Sequence, residues 1–404
     1  MSGRSQGECL PETIGYQGGE GRGRLMVSAC LGMTVFGIVV ALLGTLFGLP
    51  VVRERLRVDL IREGDLLLLL YAGIFVCTVL VGPLLDRFGH KLILVTSSVL
   101  VFGGLVNLAA AHSFLTAGIS CCLLGLGGGG LNTSNNALVS DIFGERRGQM
   151  LNILGVFFGL GALLTPLVAA SLTELFTVPH LILSAACLAA FSTAGYGLLR
   201  FPPAREGHSF SLRAALKIAR HPLALALALL LFCETGNEAS IGGWVSTYIG
   251  AVGAPVRTAT QILAGYWVGL LAARVLAAPL LRRVQKPVVV FASGVGSVIG
   301  CGLLLSARQI WVLAVAVVII GLSYACIFPT TLAIAGDQYQ RFAGTLFGFL
   351  FSVALVGGMI FPWAIGHLSE RLGMRSGMLL PLGGSIVICA LTLEARRRLT
   401  AKAE

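Results

Sequence analysis

Apolar runs as long as a bilayer crossing recur along the whole chain. They occupy residues 25–50, 64–85, 91–111, 114–140, 148–172, 177–199, 222–250, 257–281, 286–305, 309–335, 341–366 and 375–393. A helix needs roughly 20 apolar residues to cross the hydrocarbon core of a membrane. Lipid offers no partner to an exposed N–H or C=O group, so such segments must close their hydrogen bonds internally, as helices. An all-α integral membrane protein with twelve transmembrane helices is expected. Only 12% of the residues are charged, against about 25% in soluble proteins, and a soluble core does not account for that deficit. The 53 glycines fit the same picture, because small residues let membrane helices approach closely. "AHSF" between the third and fourth spans, and "SARQI" between the ninth and tenth, leave room only for tight turns.

The net charge of +11 does not point to nucleic acid, because the basic residues lie between spans instead of forming one patch. Their distribution predicts orientation. With a cytoplasmic N-terminus, 20 of the 29 Lys and Arg fall in the tails and cytoplasmic loops, 8 on the opposite side and one, Arg274, inside a span. A multi-pass protein of the cell inner (plasma) membrane is expected, with both termini in the cytoplasm. The first run is too long for a cleaved signal and is taken as a span. The ten cysteines show no CxxC or Cys/His spacing. They are expected to be small packing residues, with neither metal nor cofactor.

Residues 200–221, "RFPPAREGHSFSLRAALKIARH", divide the spans six and six. The expected organisation is a tail at 1–24, a six-helix bundle at 25–199, a cytoplasmic linker at 200–221, a second bundle at 222–394 and a tail at 395–404. Residues 209–219 suit a short basic helix on the membrane surface. A shift of 196 residues aligns the halves without a gap. It brings Pro83 and Arg87 onto Pro279 and Arg283, and Gly125 onto Gly321. Asp141, Gly161, Pro166 and Glu174 fall on Asp337, Gly357, Pro362 and Glu370. Parallel six-helix repeats suit a carrier in which one half rocks against the other around a midplane site.

The second loop reads "GPLLDRFGHKLIL". It resembles the signature loop of the major facilitator superfamily, with Gly82, Asp86, Arg87, Gly89 and Lys91 on its positions and His90 where a base is usual. The resemblance implies two pseudo-symmetric six-helix bundles and transport by alternating access. Gly82 is expected to permit close helix contact and Gly89 a tight turn. Asp86 is expected to face the positive end of a helix from the other half, latching the state closed to the cytoplasm. In the repeat-related loop, Arg282 stands where Asp86 does.

"GNEASIGGWVSTYI", together with residues 135–169, resembles the sugar-transporting branch related to fucose:proton symporters and sodium-dependent glucose carriers. Gly236, Glu238, Gly243, Trp244 and Tyr248 match its seventh-span pattern, and Glu234 replaces an aromatic. The chain departs from that branch in lacking acids in its first and fourth spans, where Ile38, Leu42, Asn132, Asn135 and Asn136 stand.

Glu234 and Glu238 lie one helical turn apart on one face. Counted from residue 222, they sit roughly 18 Å and 24 Å into the span. A carboxylate at that depth is costly and normally faces a cavity or partner. Two acids so close in a dry site should not both stay ionised, which suits proton coupling; the same oxygens suit sodium. Arg274 is the nearest candidate counter-ion, with snorkelling to the surface as its alternative fate. For a sugar, Asn132, Asn136, Asn237 and Gln261 offer amides, and Tyr266, Trp267 and Tyr324 offer stacking surfaces. Trp244 is a further stacking candidate, and Trp244 and Tyr248, near the span end, are alternatively interfacial anchors. No nucleophile, HExxH or phosphate-loop arrangement survives, and "GLGGGGLNTS" lies inside a span, so an enzyme is not expected. The expected activity is proton-coupled import of a small polar solute, a sugar, by a monomer. A sodium-coupled sugar carrier, a drug or metabolite efflux pump and a non-transporting sensor are the alternatives.

Overall fold

The computed structural model describes residues 19–172, 175–202, 221–281, 283–339 and 343–400. Those residues form helices and the turns between them. The first half comprises α1 (Gly19–Phe47), a short α2 (Pro50–Leu56), α3 (Leu60–Ala110), α4 (Phe114–Phe143), α5 (Arg147–Leu172) and α6 (Val178–Leu198). The second half comprises α7 (Pro222–Ala251), α8 (Val256–Leu281), α9 (Lys286–Ser306), α10 (Ile310–Gln338), α11 (Ala343–Leu372), a single turn α12 (Met374–Gly377) and α13 (Leu379–Thr400).

The 51-residue α3 is two spans in one. Gly89, at φ 74° and ψ 170°, reverses the chain inside it. With that break the described helices cross twelve times, so residues 19 and 400 lie on one side, termed here the terminal face; the opposite side is the far face. Gly89 therefore makes the tight turn expected of it. Its backbone conformation is open almost exclusively to glycine. Gly89→Ala is expected to cost about 1–3 kcal/mol, read as a lower thermal-unfolding midpoint in detergent.

Several bounds differ from the sequence expectation. The first helix starts at Gly19 and the last runs to Thr400, because a helix that leaves lipid can continue in water. The stretch after the first span, expected as loop, contains α2, with Pro50 at its first turn and Arg57 ending it at φ 55°. The expected surface helix at 209–219 lies outside the described residues, as do residues 1–18, 173–174, 203–220, 282, 340–342 and 401–404.

The offset of 196 reappears in the packing. A Cβ on Gly125 would lie 2.2 Å from the Leu70 carbonyl oxygen, and one on Gly321 2.2 Å from that of Tyr266. A Cβ on Gly161 would lie 2.0 Å from the Thr34 carbonyl oxygen, and one on Gly357 1.9 Å from that of Phe232, two residues past the repeat-related position. His90 Nε2 contacts Asp141 Oδ2 at 3.1 Å, and Lys286 pairs with Asp337. The Gly-rich segment of α4 packs on both legs of α3 through Gly127 and Gly129. Within the halves, α1 packs on α4, α5 and α6, and α7 on α8, α10, α11 and α13. The halves meet through α1–α7, α3–α11 and α5–α8.

Candidate functional site

Helix α7 carries its polar residues into the middle of the protein. From Leu223 to Ile249 every residue is buried except Leu225, Leu229, Phe232, Thr235 and Glu238. Phe232, Thr235 and Glu238 follow one another at steps of three residues, so they form a strip that turns by roughly 60° per step, whereas Leu225 and Leu229 lie on the other side of the helix from Glu238. The accessible stripe formed by Phe232, Thr235 and Glu238 ends at Glu238, beyond which residues 239–249 are buried without a break. In α1, Leu31, Thr34 and Ile38 are accessible, and residues 41–47 are all buried.

Glu234 is 1% exposed. Its Oε2 accepts a hydrogen bond from Thr235 Oγ1 at 3.0 Å, and its Oε1 has no partner. The charged groups acting on it are Glu238, the stronger, and Arg274. Three tyrosines close in at mid-depth: Tyr71 and Tyr266 within electrostatic reach of both acids, and Tyr324 within reach of Glu234. Tyr324 Oη lies 3.2 Å from Ser385 Oγ, which accepts from Asn237 Nδ2 at 3.3 Å. The Asn237 Oδ1, Tyr266 Oη and Trp267 Nε1 atoms are buried without partners. Each unpaired buried polar group costs about 1–3 kcal/mol. Donors and acceptors left open together mark a place for a polar guest. Trp267 also stands 5.0 Å from the Tyr266 ring and 6.2 Å from Phe158, which continues to Phe36 at 5.3 Å.

Arg274 neither snorkels nor forms an ion pair with Glu234 among the described residues. It donates to the Gly155 carbonyl oxygen at 3.4 Å and lies 5.3 Å over the Phe158 ring, bridging the halves.

The structure brings Glu234, Glu238, Asn237, Tyr266, Trp267 and Tyr324 together and leaves Gln261 apart. Gln261 is exposed on the outer surface between α8 and α10, because five or six residues of helix place it well around from Tyr266 and Trp267. Asn132 and Asn136 are half-buried on one face of α4, and Asn136 Nδ2 donates to Asn132 Oδ1 at 3.1 Å. Asn135 between them is structural, accepting from Tyr196 Oη at 2.8 Å. Trp244 and Tyr248 are neither anchors nor open surfaces: both are buried, donating to the Pro362 and Leu304 carbonyl oxygens at 3.0 Å and 3.1 Å. Sequence reasoning missed Tyr71, Thr235 and Ser385. A lone tyrosine in "LLLLLYAGIF" was the available signal for the first.

At the signature loop, Gly82 makes no close helix contact among the described residues. A Cβ there would meet nothing within 4 Å among the described residues. Asp86 is exposed and has no partner among the described residues. Arg87 stacks over its neighbour Phe88 at 5.1 Å. His90 reaches Asp141 on α4, and Lys91 Nζ donates to the Leu199 carbonyl oxygen at 3.0 Å. Arg282 lies outside the described residues.

The far face is held shut by contacts that the sequence did not announce. Arg53 on α2 pairs with Glu63, whose side chain is 0% exposed, and donates from Nη2 to Thr247 Oγ1 on α7 at 3.1 Å. Trp363 Nε1 on α11 donates to Asp65 Oδ1 on α3 at 3.1 Å. A Cβ on Gly48 would lie 2.1 Å from Ser246 Oγ, and one on Gly64 3.1 Å from the Trp363 carbonyl oxygen. Arg53→Ala would leave Glu63 buried without its cation. A destabilisation of about 3 kcal/mol is expected, at the low end for a broken buried pair because Arg53 is partly exposed. Arg53→Lys should retain most of the stability in the same thermal-unfolding assay.

The comparisons with known proteins agree with this geometry. Residues 25–251 and 227–403 each match the family model of the Major Facilitator Superfamily. The chain is 23% identical over 416 residues to the sodium-dependent glucose transporter 1A of Mus musculus, an alignment covering 93% of this chain and 96% of that one. Among solved structures, the nucleoside transporter NupG superposes with a TM-score of 0.76 at 13% identity, over 93% of this chain and 99% of that chain. The D-xylose-proton symporter does so with a TM-score of 0.73 at 14% identity, over 92% and 96%. Two family matches that together span the twelve crossings place this multi-pass membrane protein in the major facilitator superfamily of transporters.

Proposed function

We propose that the protein is a secondary active transporter that carries a small polar solute, a sugar, into the cell by alternating access coupled to protons. The observation that carries this is the accessible stripe of α7, which ends at Glu238 beside the buried Glu234. A carboxyl at the blind end of a passage can exchange a proton with one side only, until the halves rock and expose it to the other. The terminal face is taken as cytoplasmic, from the surplus of Lys and Arg there. With the far face sealed, the structure then corresponds to a cytoplasm-facing state. An idle Asp86 is consistent with it, since a latch for the cytoplasm-closed state has nothing to grip while that side is open.

The mixture of unpaired buried donors and acceptors with aromatic rings suits a hydroxylated solute, whose C–H face stacks and whose hydroxyls bond. The named activities of the glucose and xylose carriers point the same way, and so does the resemblance to the fucose:proton branch. Sodium coupling is the second reading, favoured by the sodium-dependent relative. The purified protein in liposomes, screened with hexoses and deoxyhexoses under imposed proton or sodium gradients, tests both. Proton-driven accumulation of one sugar is expected. Accumulation driven by sodium alone would transfer the coupling role to that ion. Extrusion of amphiphiles with no sugar flux would make the protein an efflux pump, and ligand binding with no flux a sensor.

A further inference from the structure

Away from the central cluster, α8 and α10 enclose an outer groove of about 770 Å³ at the far face. Its rim is polar and carries Gln261, Arg308 and Gln309; its wall is apolar, with Ile262, Trp311 and Val318. Both helices start at the far face, so the groove descends from there. Gly265 and Val318, its deepest lining residues, lie nine and eight residues in, roughly 12–14 Å down the helices. That is close to half of a hydrocarbon core about 30 Å thick. The surface stays apolar and exposed at Val315 beside the groove and at Val268 below it, each 48%, so this side faces lipid. Trp311 is 70% exposed beside the rim, as an aromatic at the headgroup level is. Arg308 is exposed and has neither hydrogen bond nor ion pair among the described residues, and the groove lining contains no carboxylate.

We propose that this groove is a binding site for an anionic phospholipid of the far-face leaflet. The phosphate sits against the Arg308 guanidinium, which can donate to it in a two-pronged fashion. Gln309 and Gln261 offer amide donors to the ester region, and one acyl chain descends along Ile262 and Val318 beside Trp311. The polarity gradient of the groove matches that of a phospholipid, and its single uncompensated cation selects a negative headgroup.

The test uses the full-length protein in bilayers of phosphatidylcholine mixed with phosphatidylglycerol, with bromine on the acyl chains of one lipid at a time. Emission from Trp311 is isolated by subtracting the Trp311→Phe protein. Brominated phosphatidylglycerol is expected to quench Trp311 at about fivefold lower mole fraction than brominated phosphatidylcholine, the worth of one basic side chain at an anionic surface. Arg308→Gln should equalise the two lipids, and Arg308→Lys should keep part of the preference. Equal quenching by the two lipids in the unsubstituted protein would overturn the proposal. A preference that survives Arg308→Gln would do the same. So would shielding of Trp311 from both lipids, as a second copy seated on the groove would produce. Transport is not read, so failure here leaves the proposed function untouched.

Discussion

Replacing Glu238 by Gln is expected to abolish gradient-driven accumulation while solute exchange continues. The substitution keeps the shape of the side chain and its hydrogen-bonding capacity but removes the proton that would be carried. With one proton per solute, each pH unit of gradient supports up to roughly tenfold accumulation. A gradient of two units should therefore concentrate the solute about 100-fold in the unsubstituted protein and not at all in Glu238→Gln. Counterflow, which needs the halves to rock only with solute bound, should persist near the unsubstituted rate. Glu234→Gln separates the two acids. Glu234 has almost no accessible surface of its own, so its route for proton exchange runs through Glu238 or a rearrangement. Its replacement should weaken coupling less than Glu238→Gln does. Retained accumulation in Glu238→Gln would remove that residue from the coupling step. Loss of both accumulation and counterflow would reassign it to solute binding.

Much of the scaffold is legible before any coordinates, because lipid leaves the backbone few options. Each apolar run must become a helix, and a gap-free offset of 196 residues must become a repeat. Gly125 with Gly321, and Gly161 with Gly357, show why: their helices cross backbone to backbone, and a larger residue would separate them. The central acids were legible for a related reason, since a buried carboxylate in an oily segment is costly and needs a cause. The partners of those acids were not. Tyr71 and Tyr266 come from two other helices, α3 and α8, and no spacing within one segment reveals which distant side chains meet. Gln261 shows the converse error. A polar residue on a span was taken to line the interior, whereas its position near the helix end puts it within reach of headgroups. Arg53 and Glu63 escaped notice because they belong to a charged stretch that reads as a solvated loop. Only the packing of the start of α3 against α11, with Arg53 of α2 laid on it, buries one of them.

Gly44→Ala is expected to unlock the far face and stop transport without unfolding the protein. A Cβ at position 44 would lie 1.9 Å from the Gly242 carbonyl oxygen and 2.9 Å from the Gly243 Cα. Both obstacles are backbone, so no rotamer change relieves them, and α1 and α7 must part. Those helices meet here across the two halves, at a seam that alternating access opens in every cycle. Overfilling a packed contact costs about 1–3 kcal/mol. If only the sealed state bears that cost, the equilibrium between states moves about 5- to 150-fold toward the open far face. The chain remains folded because each half keeps its own interior. Leu67, packed against Gly243, supplies the reporter. In a Leu67→Cys background, an impermeant thiol reagent added at the far face should react several-fold faster once Gly44 is Ala. Labelling is counted relative to protein carrying only the native cysteines. Gly197→Ala, where a Cβ meets nothing within 4 Å, is the control and should change neither labelling nor flux. Shielding of Cys at position 67 that persists in Gly44→Ala, together with normal uptake, would mean that this seam is static packing. The moving contact between the halves would then have to be sought at α5 and α8, where Arg274 grips the Gly155 carbonyl.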